Sequence, residues 1–201
     1  GDELIHECII AFYVTNRARA RGIVNFAYVY GSFMCSPPFI DTSSPGKKDV
    51  IAFCNSAEGP VSYAIYENIA PAVGLGDYAL KAQPQDFLDL YLQMIVGLYA
   101  LRDVKFVHYD CHGDNVLVRT VSDRKCVVQI DVGDRTLYFR TPGLVSTLID
   151  YGMSHATITS GGRTGDYGHV GASAPLTYYG VDRDRYNPLH DPYKLLCFCL
   201  H

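Results

Sequence analysis

The spacing of apolar side chains predicts three helices in the chain. Residues 3–19 carry apolar residues at steps of three and four, and arginines collect near the end, where a helix dipole favours positive charge. A last apolar run over residues 193–200 predicts the start of a third helix. The strongest pattern lies between them, over residues 84–102, where one face is formed by Phe87, Tyr91, Met94, Ile95, Leu98 and Leu101.

Runs of aromatic and β-branched residues predict strands on both sides of a central break. Two strands are expected before the break, over residues 25–33 and 61–69. Pro71, Gly74 and Gly76 make the break, which predicts a boundary between two lobes, residues 1–69 and 70–201. Residues 37–48 and the glycine-rich residues 160–173 predict loops. Four short strands are expected after the long helix, over residues 115–119, 126–131, 136–140 and 144–149.

The amino-acid composition argues against several classes of protein. With 48% hydrophobic and 19% charged residues, the chain can bury a sizeable core. Its net charge of −4 argues against binding to nucleic acid or to an anionic membrane surface. No apolar run approaches the ~20 residues that span a bilayer. Seven cysteines without a Cys-x-x-Cys pair favour a reducing, intracellular setting over a zinc ribbon or a disulfide framework.

One group of polar residues stands out after the long helix. Asp110 and Asn115 precede an apolar strand, and Asp150 follows another apolar run before Gly152. Carboxylate and amide oxygens on neighbouring strand ends can converge on a magnesium–polyphosphate, and a further carboxylate can orient an attacking hydroxyl. Two other interpretations stay open: these residues could serve only as turn formers, or the nearby His108, Cys111 and His112 could bind zinc, although a fourth ligand is not evident.

These motifs resemble those of the protein kinase superfamily. The His-x-Asp-x4-Asn signature is matched from His108 to Asn115, and the Asp-Phe-Gly signature from Asp150 to Gly152. The resemblance covers nearly the whole chain, and it is closest to Ser/Thr kinase-like proteins of large DNA viruses, with haspin-type kinases more distant. It implies an α+β, two-lobed kinase-like fold with a truncated N-lobe sheet and a mainly helical C-lobe. It also implies that Asp191 starts a buried helix and braces the catalytic loop.

The same resemblance implies an ATP- and Mg²⁺-dependent phosphotransferase. Asp110 would be the catalytic base, and Asn115 and Asp150 would hold magnesium. Leu117 would form the floor beneath adenine. Three further residues would complete the nucleotide site: backbone groups around Glu67 and Ile69 would pair with the adenine edge, and Glu7 would pair with an ATP-binding lysine, with Glu3 as the competing choice.

Two departures from the family keep other functions open. In a kinase, the glycine-rich loop and the lysine strand precede this first helix, and the given sequence starts at the helix. One alternative is therefore an inactive pseudokinase that acts as an interaction module. His112 stands where many Ser/Thr kinases carry lysine, as in aminoglycoside-phosphotransferase-type loops, so a small-molecule kinase is another. The leading expectation is a protein kinase with a Ser/Thr substrate and without nucleic-acid or membrane partners. An intracellular location is expected, in the host cytoplasm for a viral protein, with virion association as the alternative.

Overall fold

The computed structural model of the chain describes residues 2–35, 59–122, 126–141, 143–168 and 186–200. The loop predicted over residues 37–48 and residues 169–173 of the glycine-rich segment lie outside these residues. Helices and strands hold similar shares of the structure, and the strands form small antiparallel sheets. The predicted α+β class is therefore confirmed at this coarse level. No helix in the described ranges is both long and apolar enough to cross a membrane.

The first predicted helix is a continuous helical segment of three parts. Helix α1 (Asp2–Ile10) passes through a π-helical turn (Ala11–Thr15) into α2 (Asn16–Ala20). Its apolar face is buried, since Ile10, Ala11 and Ala18 are fully shielded from solvent. This segment packs against the first sheet, which pairs β1 (Val29–Cys35) with β2 (Val61–Tyr66) in antiparallel register.

The second part of the chain is built on a three-stranded antiparallel sheet. Its strands, in spatial order, are β3 (Ala72–Gly74), β4 (Val116–Thr120) and β7 (Leu144–Leu148). The short helix α3 (Leu75–Ala79) follows β3, so the predicted break at residues 71–76 contains the start of this unit. The remaining elements are α4 (Pro84–Tyr99), a 3₁₀ turn (Arg102–Val104), the hairpin of β5 (Cys126–Val132) and β6 (Arg135–Thr141), the hairpin of β8 (Ala156–Ser160) and β9 (Arg163–Tyr167), and α5 (His190–Cys199).

The structure corrects three sequence-based expectations. Residues 25–28 precede β1 instead of forming its start, because Ala27 N donates to Leu148 O and Leu148 N donates to Asn25 O. These bonds tie the first part of the chain to β7. Residues 160–168 end one strand and form most of a hairpin, where a loop was expected. The described part of residues 70–201 contains seven strands beside three α-helices, which is richer in strand than the mainly helical lobe that the resemblance implies.

The core joins α4 to the three-stranded sheet. Leu90 and Met94 on α4 are fully buried, as are Leu148 on β7 and Val116 on β4. Ser146 in β7 donates its hydroxyl to Leu90 O at 3.0 Å, so a polar side chain in this interface is also satisfied. The packed α4–β4–β7 unit carries the loop in which Asp110 and Asn115 lie.

Candidate functional site

Helix α5 holds the loop between the 3₁₀ turn and β4. Asp191, which is 3% exposed, accepts hydrogen bonds from His108 N at 2.6 Å and from Tyr109 N at 2.9 Å. Tyr109 has a φ of +62°, a left-handed conformation that costs a non-glycine residue about 1 kcal/mol or more. The two bonds to Asp191 stabilise that conformation. The predicted brace by Asp191 is confirmed.

Asp110 follows directly and is held by two other side chains. Lys194 on α5 donates to Asp110 Oδ1 at 2.6 Å, and the Asn115 amide donates to Asp110 Oδ2 at 3.2 Å. Burial of the Asp110 carboxyl raises its pKa, but the hydrogen bond and charge of Lys194, with smaller contributions from His112 and His108, lower it by more. The pKa therefore lies below its ordinary value, and the group is ionised near neutral pH.

Asn115 links Asp110 to the second acidic motif. Its Nδ2 also donates to Asp110 O at 3.0 Å, and its backbone carbonyl accepts from Ile149 N at 3.0 Å. In the antiparallel register, Val116 lies opposite Leu148. Asn115 and Asp150 therefore come to the same end of the β4–β7 ladder.

Asp150 is turned outward by the residues around it. Its φ is +63°, its carboxylate is exposed, and its Oδ1 accepts from Gly152 N at 3.4 Å. The next residue, Tyr151, is fully buried, and its hydroxyl lies 2.8 Å from Ala27 O and 3.0 Å from Leu148 O. Since Tyr151 is anchored inside the core, the left-handed turn at Asp150 directs its carboxylate to solvent.

His108 lies among the acidic residues and has a structural role. Its Nε2 contacts Ile149 O at 3.0 Å, and its ring packs edge-on against Tyr151. Burial lowers the pKa of His108, and the charges of Asp191, Asp110 and Asp150 offset this only in part. The charges of all three carboxylates thus favour the protonated form of this buried ring, against the effect of burial.

The donor set fits a hydrated divalent cation bound by few protein oxygens. Asn115 Nδ2 is committed to Asp110, so the amide presents its Oδ1 as a hard ligand, and Asp150 adds an exposed carboxylate. Magnesium keeps several waters and binds through one or two protein groups together with substrate phosphates. Within the described ranges, no group of three or more His, Cys, Asp or Glu side chains is placed to hold a metal ion.

The expected adenine-side residues lie around β2 and β4. Leu117 is half-buried on β4, on the face opposite the buried Val116 and Val118. Glu67 N donates to Tyr28 O at 2.8 Å, so this amide is used by the fold. Ile69 lies two residues further on and is half-buried; among the described residues its backbone makes no hydrogen bond to another backbone group.

The backbone of Glu67 was expected to pair with adenine, whereas its side chain forms a hydrogen-bonded cluster. Its carboxylate accepts from Arg119 at 2.9 Å, from Arg19 at 3.2 Å and from Tyr28 N at 3.1 Å. Arg119 lies two residues after Leu117 and therefore on the same face of β4. This cluster joins α2, the end of β2 and β4, and it fixes the segment after β2 beside Leu117.

Glu7 is brought to the Asp-Tyr-Gly segment. Its Oε1 accepts from Tyr151 N at 3.0 Å, and on the same helix His6 Nε2 contacts Ser154 O at 2.7 Å. Helix α1 thus holds the segment that carries Asp150. The side chain of Glu3, the competing choice, lies outside the described side chains.

Sequence reasoning missed Lys194 and the two arginines that bind Glu67. Lys194 had a readable signal, because it follows Asp191 by three residues and so shares its helix face. No sequence signal pointed to Arg19 and Arg119, since their partner Glu67 lies 48 and 52 residues away, respectively.

Comparison with protein-family models gives no match, and a search of curated proteins gives none either. The kinase resemblance therefore depends on the quoted motifs.

Proposed function

We propose that the protein is an ATP- and Mg²⁺-dependent phosphotransferase that acts on a Ser/Thr hydroxyl of a protein substrate, of the kind found in large DNA viruses. One observation carries the proposal. The Asn115 side-chain amide donates to Asp110, and the backbone carbonyl of Asn115 accepts from Ile149 N, so that Asn115 and Asp150 lie at the same end of the β4–β7 ladder. In phosphoryl transfer by protein kinases, a catalytic-loop Asp accepts the proton of the substrate hydroxyl, and an Asn and a second Asp hold the magnesium ions.

Each residue has a separate task in the proposed reaction. The ionised Asp110 carboxylate would accept the hydrogen bond of the attacking hydroxyl and take its proton. Asn115 Oδ1 and Asp150 would hold the magnesium ion, which when bound would neutralise charge on the transferred phosphoryl group. Leu117 and the backbone around Ile69 would hold the adenine base. The contribution of the chain is mainly placement of groups that are already fixed.

The nucleotide part of the proposal is tested by binding. Magnesium–ATP at 100 times its Kd should stabilise the protein by about 2.7 kcal/mol, measured as a thermal shift. Asp150→Ala should abolish the magnesium-dependent part of that shift. Asp134→Ala, in the exposed β5–β6 turn, is the matched control and should behave as the wild type. An unchanged melting temperature in wild-type protein would favour an inactive interaction module instead.

The acceptor is tested separately by phosphoryl transfer. Radiolabelled ATP is offered with a panel of Ser/Thr peptides and with a panel of hydroxylated small molecules. Transfer to peptides that is lost in Asp110→Asn supports the protein-kinase proposal. Transfer only to small molecules would keep phosphotransfer but replace the proposed acceptor, as the histidine at position 112 allows.

A further inference from the structure

A cleft of about 380 Å³ lies between the end of α4 and the turn of the β5–β6 hairpin. Pockets for small ligands measure about 300–1,000 Å³, so this cleft has room for one group of side-chain size. None of the residues that line it belongs to the site around Asp110 and Asp150. Its lining is formed by Tyr99, Arg102, Val132, Asp134, Arg135 and Leu137.

Arg135 stands on the apolar face of the hairpin. The register pairs Arg135 with Val132, and cross-strand partners lie on the same face of a sheet. Val132 is 7% exposed, and Ile130 on the same face is fully buried. The alternation of the strand therefore calls for an apolar residue at position 135, and the chain places a guanidinium there. Among the described residues, this guanidinium makes no hydrogen bond or ion pair.

Arg102 reaches the same turn from the helix side. Its Nη1 donates to Tyr99 O at 3.3 Å, and its guanidinium lies over the Tyr99 ring, 4.5 Å from the centroid. A Cβ built on Gly133 would lie 3.2 Å from Arg102 Nη2, so the guanidinium rests against the hairpin turn. Two guanidinium groups from separate elements thus line one cleft.

Two carboxylates lie near these arginines and reduce their positive field. Asp134 lines the cleft and is exposed, and Asp103 Oδ1 lies 3.8 Å from Arg102 Nε with a side chain that is 83% exposed. Because both carboxylates are open to water, salt screens their charges, and an exposed ion pair of this length contributes little. Each arginine therefore keeps N–H donors for a bound anion.

We propose that this cleft is a binding site for an aryl phosphate, the group that a phosphotyrosine side chain carries. One guanidinium fork satisfies a planar carboxylate, whereas a phosphate ester presents three acceptor oxygens and about two negative charges, which two arginines can share. The apolar lining suits an aromatic ring, because Tyr99 is 56% exposed and Leu137 is 38% exposed, so both have surface to cover. Stacking against Tyr99 favours an aromatic ester over phosphoserine.

The test is calorimetric titration of the full chain with a neutral alanine peptide that carries one central phosphotyrosine. The comparison ligands are the unphosphorylated peptide, its phosphoserine counterpart and phenyl phosphate. We expect the phosphotyrosine peptide to bind, the phosphoserine peptide to bind about 5-fold more weakly, and the unphosphorylated peptide not to bind. Binding of phenyl phosphate as tight as that of the peptide indicates recognition of the aryl phosphate alone, and tighter peptide binding adds a backbone contribution; both results support the proposal.

Three arginine variants locate the binding. R102Q and R135Q each remove one guanidinium from the cleft, and R140Q removes an arginine on the opposite face of β6, where its partner Val127 is 56% exposed. R102Q and R135Q should each weaken phosphotyrosine binding by about 10-fold, and R140Q should leave it unchanged. Should R102Q fail to fold, R135Q decides, since its side chain holds no other described residue.

The outcomes do not depend on the proposed phosphotransfer. Excess magnesium–ATP should not displace the peptide, because the cation already binds its phosphate oxygens and its proposed site lies elsewhere. Three results would each overturn the site: no binding of the phosphotyrosine peptide at millimolar concentration, equal weakening by R135Q and R140Q, or displacement by magnesium–ATP. Equal affinity for the phosphoserine and phosphotyrosine peptides would overturn the preference for an aryl phosphate.

Discussion

Replacing Asp191 by alanine tests whether α5 holds the Asp110 loop in place. The carboxylate accepts two backbone hydrogen bonds at 2.6 and 2.9 Å, and the residue is 3% exposed. The change leaves two buried N–H groups without an acceptor, each costing about 1–3 kcal/mol. The expected loss is therefore roughly 2–6 kcal/mol, a large part of the 5–15 kcal/mol typical of a domain.

Urea unfolding followed by circular dichroism measures this loss. Asp191→Asn is the matched variant, because its amide oxygen can still accept one of the two bonds, so its loss should fall between wild type and alanine. Hydrogen exchange adds local detail, since the amides of His108 and Tyr109 should exchange faster in both variants. If Asp191→Ala unfolds at the wild-type urea concentration with an unchanged slope, the bracing role is wrong.

Three more predictions follow from single contacts. Gly113→Ala should lower the free energy of unfolding by about 1–3 kcal/mol, because a Cβ there would lie 2.8 Å from backbone atoms of Gly76. Gly31→Ala is the control, since a Cβ at that position meets no neighbouring atom. Urea unfolding measures both variants. Tyr151→Phe should cost about 1–2 kcal/mol in the same assay by removing the buried hydroxyl bond, and an unchanged stability would contradict that contact. The folded-state pKa of Asp110 is lowered, so its ionised carboxylate stabilises the folded protein fully above the ordinary aspartate range. This stabilisation is lost as the pH falls through the folded-state pKa. Asp110→Asn should therefore flatten the acid dependence of the free energy of unfolding, measured from neutral pH to about pH 3.

The elements that could be predicted from the sequence are those with a hydrophobic pattern inside a single segment. The apolar pattern of residues 84–102 predicted α4, although the helix ends at Tyr99 and its buried residues share only Met94 and Leu98 with the predicted face; the others are Leu90, Gln93 and Gly97. The strand after residue 25 was placed too early because Phe26 and Ala27 bond to β7, a long-range pairing that composition does not reveal. The hairpin at residues 156–167 was missed since glycine-rich segments look alike in loops and in turns.

Within the site, motif spacing singled out Asp110, Asn115 and Asp150, and the register of β4 with β7 explains why Asn115 and Asp150 lie at the same end of the ladder. Two contacts depended on chain segments far apart in sequence. Lys194 reaches Asp110 across 84 residues, and the Glu67 carboxylate is held by two arginines from separate elements. The contacts of Glu67 follow from tertiary packing and leave no local pattern, whereas Lys194 had a local signal in its three-residue spacing from Asp191.

Paramagnetic relaxation tests the central claim most directly. Mn²⁺ with ATP is titrated into ¹⁵N-labelled protein, and line broadening is compared at Asn115, at Asp150 and in the β5–β6 turn at Asp134. We predict that Asn115 and Asp150 broaden together at low metal and only when ATP is present, while Asp134 stays sharp. Broadening at one acidic motif without the other, or equal broadening in the distant turn, would contradict a shared metal–nucleotide centre.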